Sequence, residues 1–194
     1  MTNQQPNGQT TSLTQNSRTR QITLIGLMTA ITCILAPLSI PLPFSPVPIS
    51  LTNLVIFISV FILGMKDATI SFLIYLLLGA VGLPVFASFH AGLSVLAGPT
   101  GGYLIGFIPM AIIAGLVIDR YINKRIVCLL GMIAGTAVCY LFGTAWLAYQ
   151  ANMGFQAALM AGVIPFIAGD LIKMVLAMLI GPQIRSQLKR ANLY

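Results

Sequence analysis

The 194-residue sequence has no glutamate, a single histidine and only 3 acidic residues, and each scarcity removes a class of function. A zinc or iron centre draws three or four ligands from His, Cys and carboxylates. His90 has no such neighbours, so metal chemistry is excluded and no cofactor is expected. Cys33, Cys128 and Cys139 form an odd set inside apolar runs without C-x-x-C spacing, which reads as buried free thiols. The phosphate-loop pattern G-x-x-x-x-G-K-[ST] occurs nowhere, so no ATP-hydrolysing module is expected on this chain. Charge is scarce as well: 7% of residues carry it, against about a quarter in a soluble domain. With 58% hydrophobic residues and a mean hydropathy of +0.96, the solvent must be lipid. The net charge of +7 is scattered over segment ends, and no basic face of the kind that binds nucleic acid is present.

What is present is a series of apolar runs divided by proline, glycine and charge. A hydrocarbon core about 30 Å thick asks for roughly 20 helical residues. The first run, Gln21 to Ala36, stops at Pro37 and at a segment holding Pro41, Pro43, Pro46 and Pro48, which reads as a loop. Runs from Ile49 to Leu63 and from Ala68 to Leu83 are separated by a tight turn at Gly64 to Asp67. A fourth run follows the cluster Gly98 to Gly102 and ends at Ile118, before Asp119, Arg120, Lys124 and Arg125. A fifth extends from about Ile126 to Tyr149 and a sixth from about Ala158 to Ile180, where Gly181 and Pro182 stop it.

These features predict an all-α integral membrane protein with six transmembrane helices. Residues 1–20 form a disordered polar tail, 21–183 the membrane domain and 184–194 a basic cytoplasmic tail. The first helix reads as a permanent anchor, because a proline run follows it in place of a small-x-small cleavage site. Every segment with basic residues near helix ends falls on one side, and the connections around Pro43, His90 and Asn152 carry no charge. The positive-inside rule then puts both termini in the cytoplasm.

Two charges remain inside the sixth helix, Asp170 and Lys173. Spaced i, i+3, they share a face about 4.5 Å apart along the axis. One charge at mid-bilayer costs about 2.5 to 17 kcal/mol, so both must face inward. They form either a salt bridge that holds the helix to its neighbours or a site for a small polar ligand. Gly162, Pro165 and Gly169 upstream favour an interrupted helix beside a cavity, and Asp170 lies about 18 Å in from the outer end. A second cluster, Gly98, Pro99, Thr100, Gly101, Gly102 and Tyr103, is either a plain loop or a helix amino terminus offering backbone donors to an acid group. Phe86 and Phe89 suit the wall of a pocket, Trp146 and Tyr149 an interfacial belt, and His90 a solvated or hydrogen-bonded loop position.

The motifs Pro41-Leu42-Pro43-Phe44-Ser45-Pro46-Val47-Pro48-Ile49, Leu76 to Ala87, Gly98-Pro99-Thr100-Gly101-Gly102-Tyr103-Leu104 and Gly162-Val163-Ile164-Pro165-Phe166 leading to Gly169-Asp170 and Lys173 come in the order of one family. Over residues 22 to 182 the chain resembles the BioY family, the biotin-specific capture subunits of energy-coupling factor transporters. The resemblance implies an outward-facing biotin pocket and assembly with a transmembrane coupling subunit and two cytoplasmic ATPases in a bacterial plasma membrane. It also implies that Asp170 accepts from a ureido N–H and that Lys173 donates to the ureido carbonyl or the carboxylate. Phe86, Phe89 and Tyr103 would enclose the ligand, the backbone at Gly98, Thr100 and Gly101 would donate to it, and Asn53 would supply an amide. Small residues four apart, Gly26 and Ala30, are the implied docking face of helix one. Gly26 departs from the alanine common in the family, and Thr52-Asn53 from a more usual glutamine and threonine. The competing functions are a self-sufficient proton-linked carrier and a membrane enzyme. The carrier would have Asp170 as its one titrating acid, and no nucleophile with a base is legible for the enzyme. The lack of an internal repeat also weakens the carrier.

Overall fold

The computed structural model describes the backbone of residues 9–191 and the side chains of residues 18–191. Eight α-helices and one hairpin follow in order: α1 (Gln9–Leu35), β1 (Ser39–Leu42), β2 (Ser45–Ser50), α2 (Thr52–Leu63), α3 (Met65–Val81), α4 (Leu93–Ala97), α5 (Gly101–Tyr121), α6 (Arg125–Gln150), α7 (Phe155–Gly162) and α8 (Ile164–Arg190). Among the described residues, α5, α6 and α8 are long and apolar enough to cross a membrane. The 12-residue α2 is apolar but, at about 18 Å, short of a full span. It is hydrophobic all round and buried along nearly its whole length, as a central core helix must be. It packs against α1, α3, α5 and α8.

Four local readings of the sequence are corrected. The proline segment expected as a loop is an antiparallel hairpin pairing Ser39 with Ser50 and Ile40 with Ile49. A two-stranded ribbon has two free edges, so proline costs a ladder bond only where its nitrogen faces the partner strand. The polar stretch expected to be disordered is helical from Gln9, because extending an existing helix through residues free of Pro and Gly avoids the cost of nucleation. Residues 1–8 of that expected tail lie outside the described residues. The predicted sixth helix is divided at Val163 into α7 and α8, with Pro165 in the first turn of α8, where its missing N–H has no partner to lose.

At its other end α8 runs through Pro182 to Arg190, so the basic tail is helical as far as that residue; residues 192–194 lie outside the described set. Tertiary contact carries the helix over the proline. A Cβ on Gly181 would lie 2.5 Å from the Cβ of Phe61, and Arg185 Nη1 donates to Phe61 O at 3.3 Å. Gly64, at φ +83, alone separates α2 from α3, and the Asp119 carboxylate accepts from Met65 N at 2.8 Å to close the turn.

Helices α5 and α6 approach through glycine. A Cβ on Gly106 would lie 3.1 Å from Cys139 Cα, one on Gly135 2.8 Å from Met110 O, and one on Gly143 2.2 Å from the Tyr103 ring. Small residues permit this backbone approach, which is how helices associate where water supplies no driving force. Gly106→Val should therefore lower stability by about 1–3 kcal/mol. Gly26→Ala, with nothing within 4 Å of its Cβ, should leave stability unchanged or raise it by up to about 1 kcal/mol. Thermal unfolding in detergent checks both, and an unshifted Gly106→Val midpoint would rule out a tight seam.

Candidate functional site

At the end of the bundle formed by the hairpin, the α3–α5 connection and the α7–α8 break lies a cavity of about 500 Å³. The basic and acidic side chains near Asp67, Asp119 and Arg185 sit at the opposite end, so the cavity mouth carries no carboxylate and no Lys or Arg. Its two charged lining residues are deep: Asp170 and Lys173, both buried on the inner face of α8.

Their partners define what the site can still bind. Lys173 Nζ donates to Asp170 Oδ1 at 3.0 Å and to Ser50 O, the last residue of β2, at 2.7 Å. Asp170 Oδ2 accepts from Tyr140 OH of α6 at 2.6 Å. An ammonium has three donors and a carboxylate roughly four acceptor positions, so one donor and about two acceptor positions remain, side by side. That is the complement of a planar group presenting an acceptor next to a donor. The salt bridge and the ligand site, alternatives in the sequence, are thus compatible in one arrangement.

Aromatic groups form the walls, each fixed from behind. Phe86 is buried and lies over Gly79, where a Cβ would come within 2.2 Å of its ring, and it meets Tyr75 edge-on at 5.7 Å. Tyr75 OH donates to Val85 O at 3.1 Å, which holds the residue next to Phe86. Tyr103 is wedged on Gly143 and donates its hydroxyl to Gly162 O at 3.0 Å, satisfying a carbonyl freed by the α7–α8 break. Trp146 is half-buried and donates Nε1 to Gly98 O at 2.9 Å, which staples the glycine loop to α6. Gln150 Nε2 holds Ala97 O in the same way. Tyr149 remains exposed, and His90 Nδ1 contacts Ala87 O at 2.9 Å within its loop.

Of the sequence-nominated residues, Asp170, Lys173, Gly98, Thr100, Tyr103, Phe86 and Asn53 line the cavity. Gly101 and Phe89 do not. Gly101 is packed against α4, where a Cβ would collide with Leu96 O, and its amide donates to Gly98 O at 3.0 Å. Gly98 N likewise donates to Val95 O at 3.2 Å, so the amides of these two glycines are occupied within the loop. Phe89 has φ +60, which turns it out of the cavity to 64% exposure. Gly26 and Ala30 lie far from the cavity on an exposed face of α1, between Ile22 and Ile34. The sequence reading missed Tyr140, Ser50, Phe107 and Phe166, which also line it. Tyr140 had a signal: a hydroxyl in the middle of an apolar span needs a buried partner.

The family model for BioY matches residues 7–190. The chain belongs to the BioY family. It is 40% identical over 166 residues to the biotin transporter BioY of Thermotoga maritima, covering 86% of this chain and 96% of that protein. It is 33% identical over 180 residues to the biotin transporter BioY2 of Lactococcus lactis, covering 93% and 98%. A crystal structure of the S-component for biotin from an ECF-type ABC transporter superposes with a TM-score of 0.82 at 31% identity, over 88% of this chain and 93% of that one. With three membrane-length helices, this member of the BioY family is a multi-pass membrane protein.

The charge pair makes an energetic prediction that needs no ligand. Lys173→Met leaves the Asp170 carboxylate buried with Tyr140 alone and should cost about 3–5 kcal/mol. The double variant Asp170→Asn with Lys173→Met removes both charges and should recover part of that loss. Unfolding midpoints of the two variants in detergent decide it, and a double variant less stable than Lys173→Met would contradict the pairing.

Proposed function

We propose that this chain is the biotin-capture subunit of an ATP-driven uptake transporter, binding biotin in the 500 Å³ cavity without transforming it. The observation that carries this reading is the floor of the cavity, where one Lys173 donor and the free Asp170 acceptor positions lie within a single hydrogen-bonded pair. A cyclic urea presents N–H and C=O on adjacent ring atoms. Asp170 accepts the ureido N–H and Lys173 donates to the ureido carbonyl, which assigns Lys173 to the ring end of biotin and not to its carboxylate. Phe86, Tyr103, Phe107 and Phe166 enclose the apolar bicycle, and the tail extends toward the polar mouth at His90, Ser94 and Thr100. Asn53 supplies an amide at the hairpin side.

Six crossings with both termini in the cytoplasm of a bacterium belong to the same reading, supported by the gathering of basic residues at the end opposite the cavity. The cavity then opens outward. Energy comes from partners, a transmembrane coupling subunit and two cytoplasmic ATPases. The exposed strip of α1 that includes Gly26 and Ala30 suits close helix docking on the coupling subunit, since nothing lies within 4 Å of a Gly26 Cβ. A proton-linked carrier is less favoured, because Asp170 is tied to both Lys173 and Tyr140 and has no second carboxylate to relay to.

Calorimetric titration of the purified chain should give binding of biotin and dethiobiotin, which share the ureido ring, and none of thiamine. Asp170→Asn should weaken biotin binding roughly 10- to 100-fold, as expected for loss of a charged hydrogen-bond acceptor. Tyr140→Phe, which only loosens the carboxylate, should weaken it by about 3- to 10-fold. Wild-type affinity in Asp170→Asn would refute the assignment of the ring end.

A further inference from the structure

At the basic end of the bundle a second cavity, of about 220 Å³, opens between the last turn of α2, the α5–α6 turn and α8. Asn123 and Arg125 bring polar groups to it, and Phe61, Ile122 and Met178 bring apolar ones. Among the described residues no carboxylate lines it. The two acids of this end are held elsewhere: Asp119 accepts from Met65 N at 2.8 Å, and Asp67 takes both contacts of Gln21 Nε2, at 2.9 and 2.7 Å. Among the described residues Arg125 forms no ion pair. Two further cations flank it on the same turn, Arg120 and Lys124, which lie 5.9 and 5.8 Å from the centre of the Tyr121 ring.

An exposed guanidinium without an ion pair at the rim of a cavity, with an exposed amide beside it and two further cations on the same turn, suits one chemistry. Arginine presents a planar fork of donors to tetrahedral oxyanions, and asparagine adds a further donor. We propose that this cavity binds an anionic phosphate group, with Arg125 and Asn123 as its ligands. Two sources carry that group: the headgroup of an anionic phospholipid, whose glycerol and acyl carbons would meet Phe61, Ile122 and Met178, or free phosphate. Met178 and Pro182 place the site two to three helical turns, about 12–18 Å, beyond Asp170 along α8, and it does not depend on biotin.

The test uses the full chain without biotin. Thermal midpoints are compared in nanodiscs of phosphatidylcholine with and without phosphatidylglycerol, and in detergent with inorganic phosphate or chloride at equal ionic strength. A specific site filled at about a hundred times its Kd should raise the midpoint by roughly 5–10 °C in at least one arm. A rise with phosphatidylglycerol alone assigns the lipid, and a rise with inorganic phosphate assigns the soluble ion. Arg125→Gln should abolish most of the rise and Asn123→Ala should reduce it. Lys66→Gln, which removes an exposed charge that does not line the cavity, should keep it. No rise in either arm, the same rise in Asn123→Ala and Arg125→Gln as in wild type, or an equal loss in Lys66→Gln would overturn the site.

Discussion

Two opposite charges inside an apolar bundle constrain everything packed around them. Neither Asp170 nor Lys173 is tolerable against lipid, so their face of α8 must turn inward, which fixes the rotation of that helix about its axis. Pairing alone leaves lone pairs and protons unsatisfied, and in a low-dielectric interior each unsatisfied group is expensive. The protein answers with Tyr140 from α6 and the Ser50 carbonyl from the hairpin. One ion pair thereby ties α8, α6 and β2 together, and the polar capacity left over is directed into the cavity.

Close approach of helices supports that arrangement from the other side. Glycines on α5 and α6 bring the backbones near enough for Tyr103 to lie flat on Gly143 and reach the Gly162 carbonyl at the α7–α8 break. Gly79 does the same for Phe86. Glycine here makes room behind each aromatic ring, and the ring then has few orientations open to it. A pocket whose walls are fixed before the ligand arrives loses less side-chain entropy on binding. The staple from Trp146 to Gly98 and the link from Ser88 Oγ to Ser39 Oγ at 2.9 Å extend that order to the loops around the mouth.

The two ends of the bundle differ in kind. Around the cavity, polar atoms belong mainly to hydroxyls and backbone, and charge is confined to its floor. At the far end the cations cluster and the acids are held by amides and a turn. A division of this kind, with basic residues gathered at one end and an uncharged mouth at the other, is the pattern that the positive-inside rule associates with a fixed orientation in a membrane.

Composition settled the solvent, because a chain with so few charges cannot cover itself in water. Local punctuation gave most helix positions, and the i, i+3 spacing of Asp170 and Lys173 marked the floor of the site, since helix periodicity is a property of adjacent residues. The motif order marked the family. What escaped depended on contacts between residues far apart in the chain. The proline segment carries no local sign of the Ser39–Ser50 pairing that makes it a hairpin. Pro182 reads as a stop until Gly181 and Arg185 are found against Phe61. Gly101 and Phe89 share the chemistry of their neighbours, and only a close turn and a positive φ remove them from the cavity. Tyr140 precedes Asp170 by 30 residues, and no spacing rule joins residues on different helices. Sequence fixed which groups lipid could not accept; the packing of one helix on another decided which of them meet, because that depends on the shape of every side chain between.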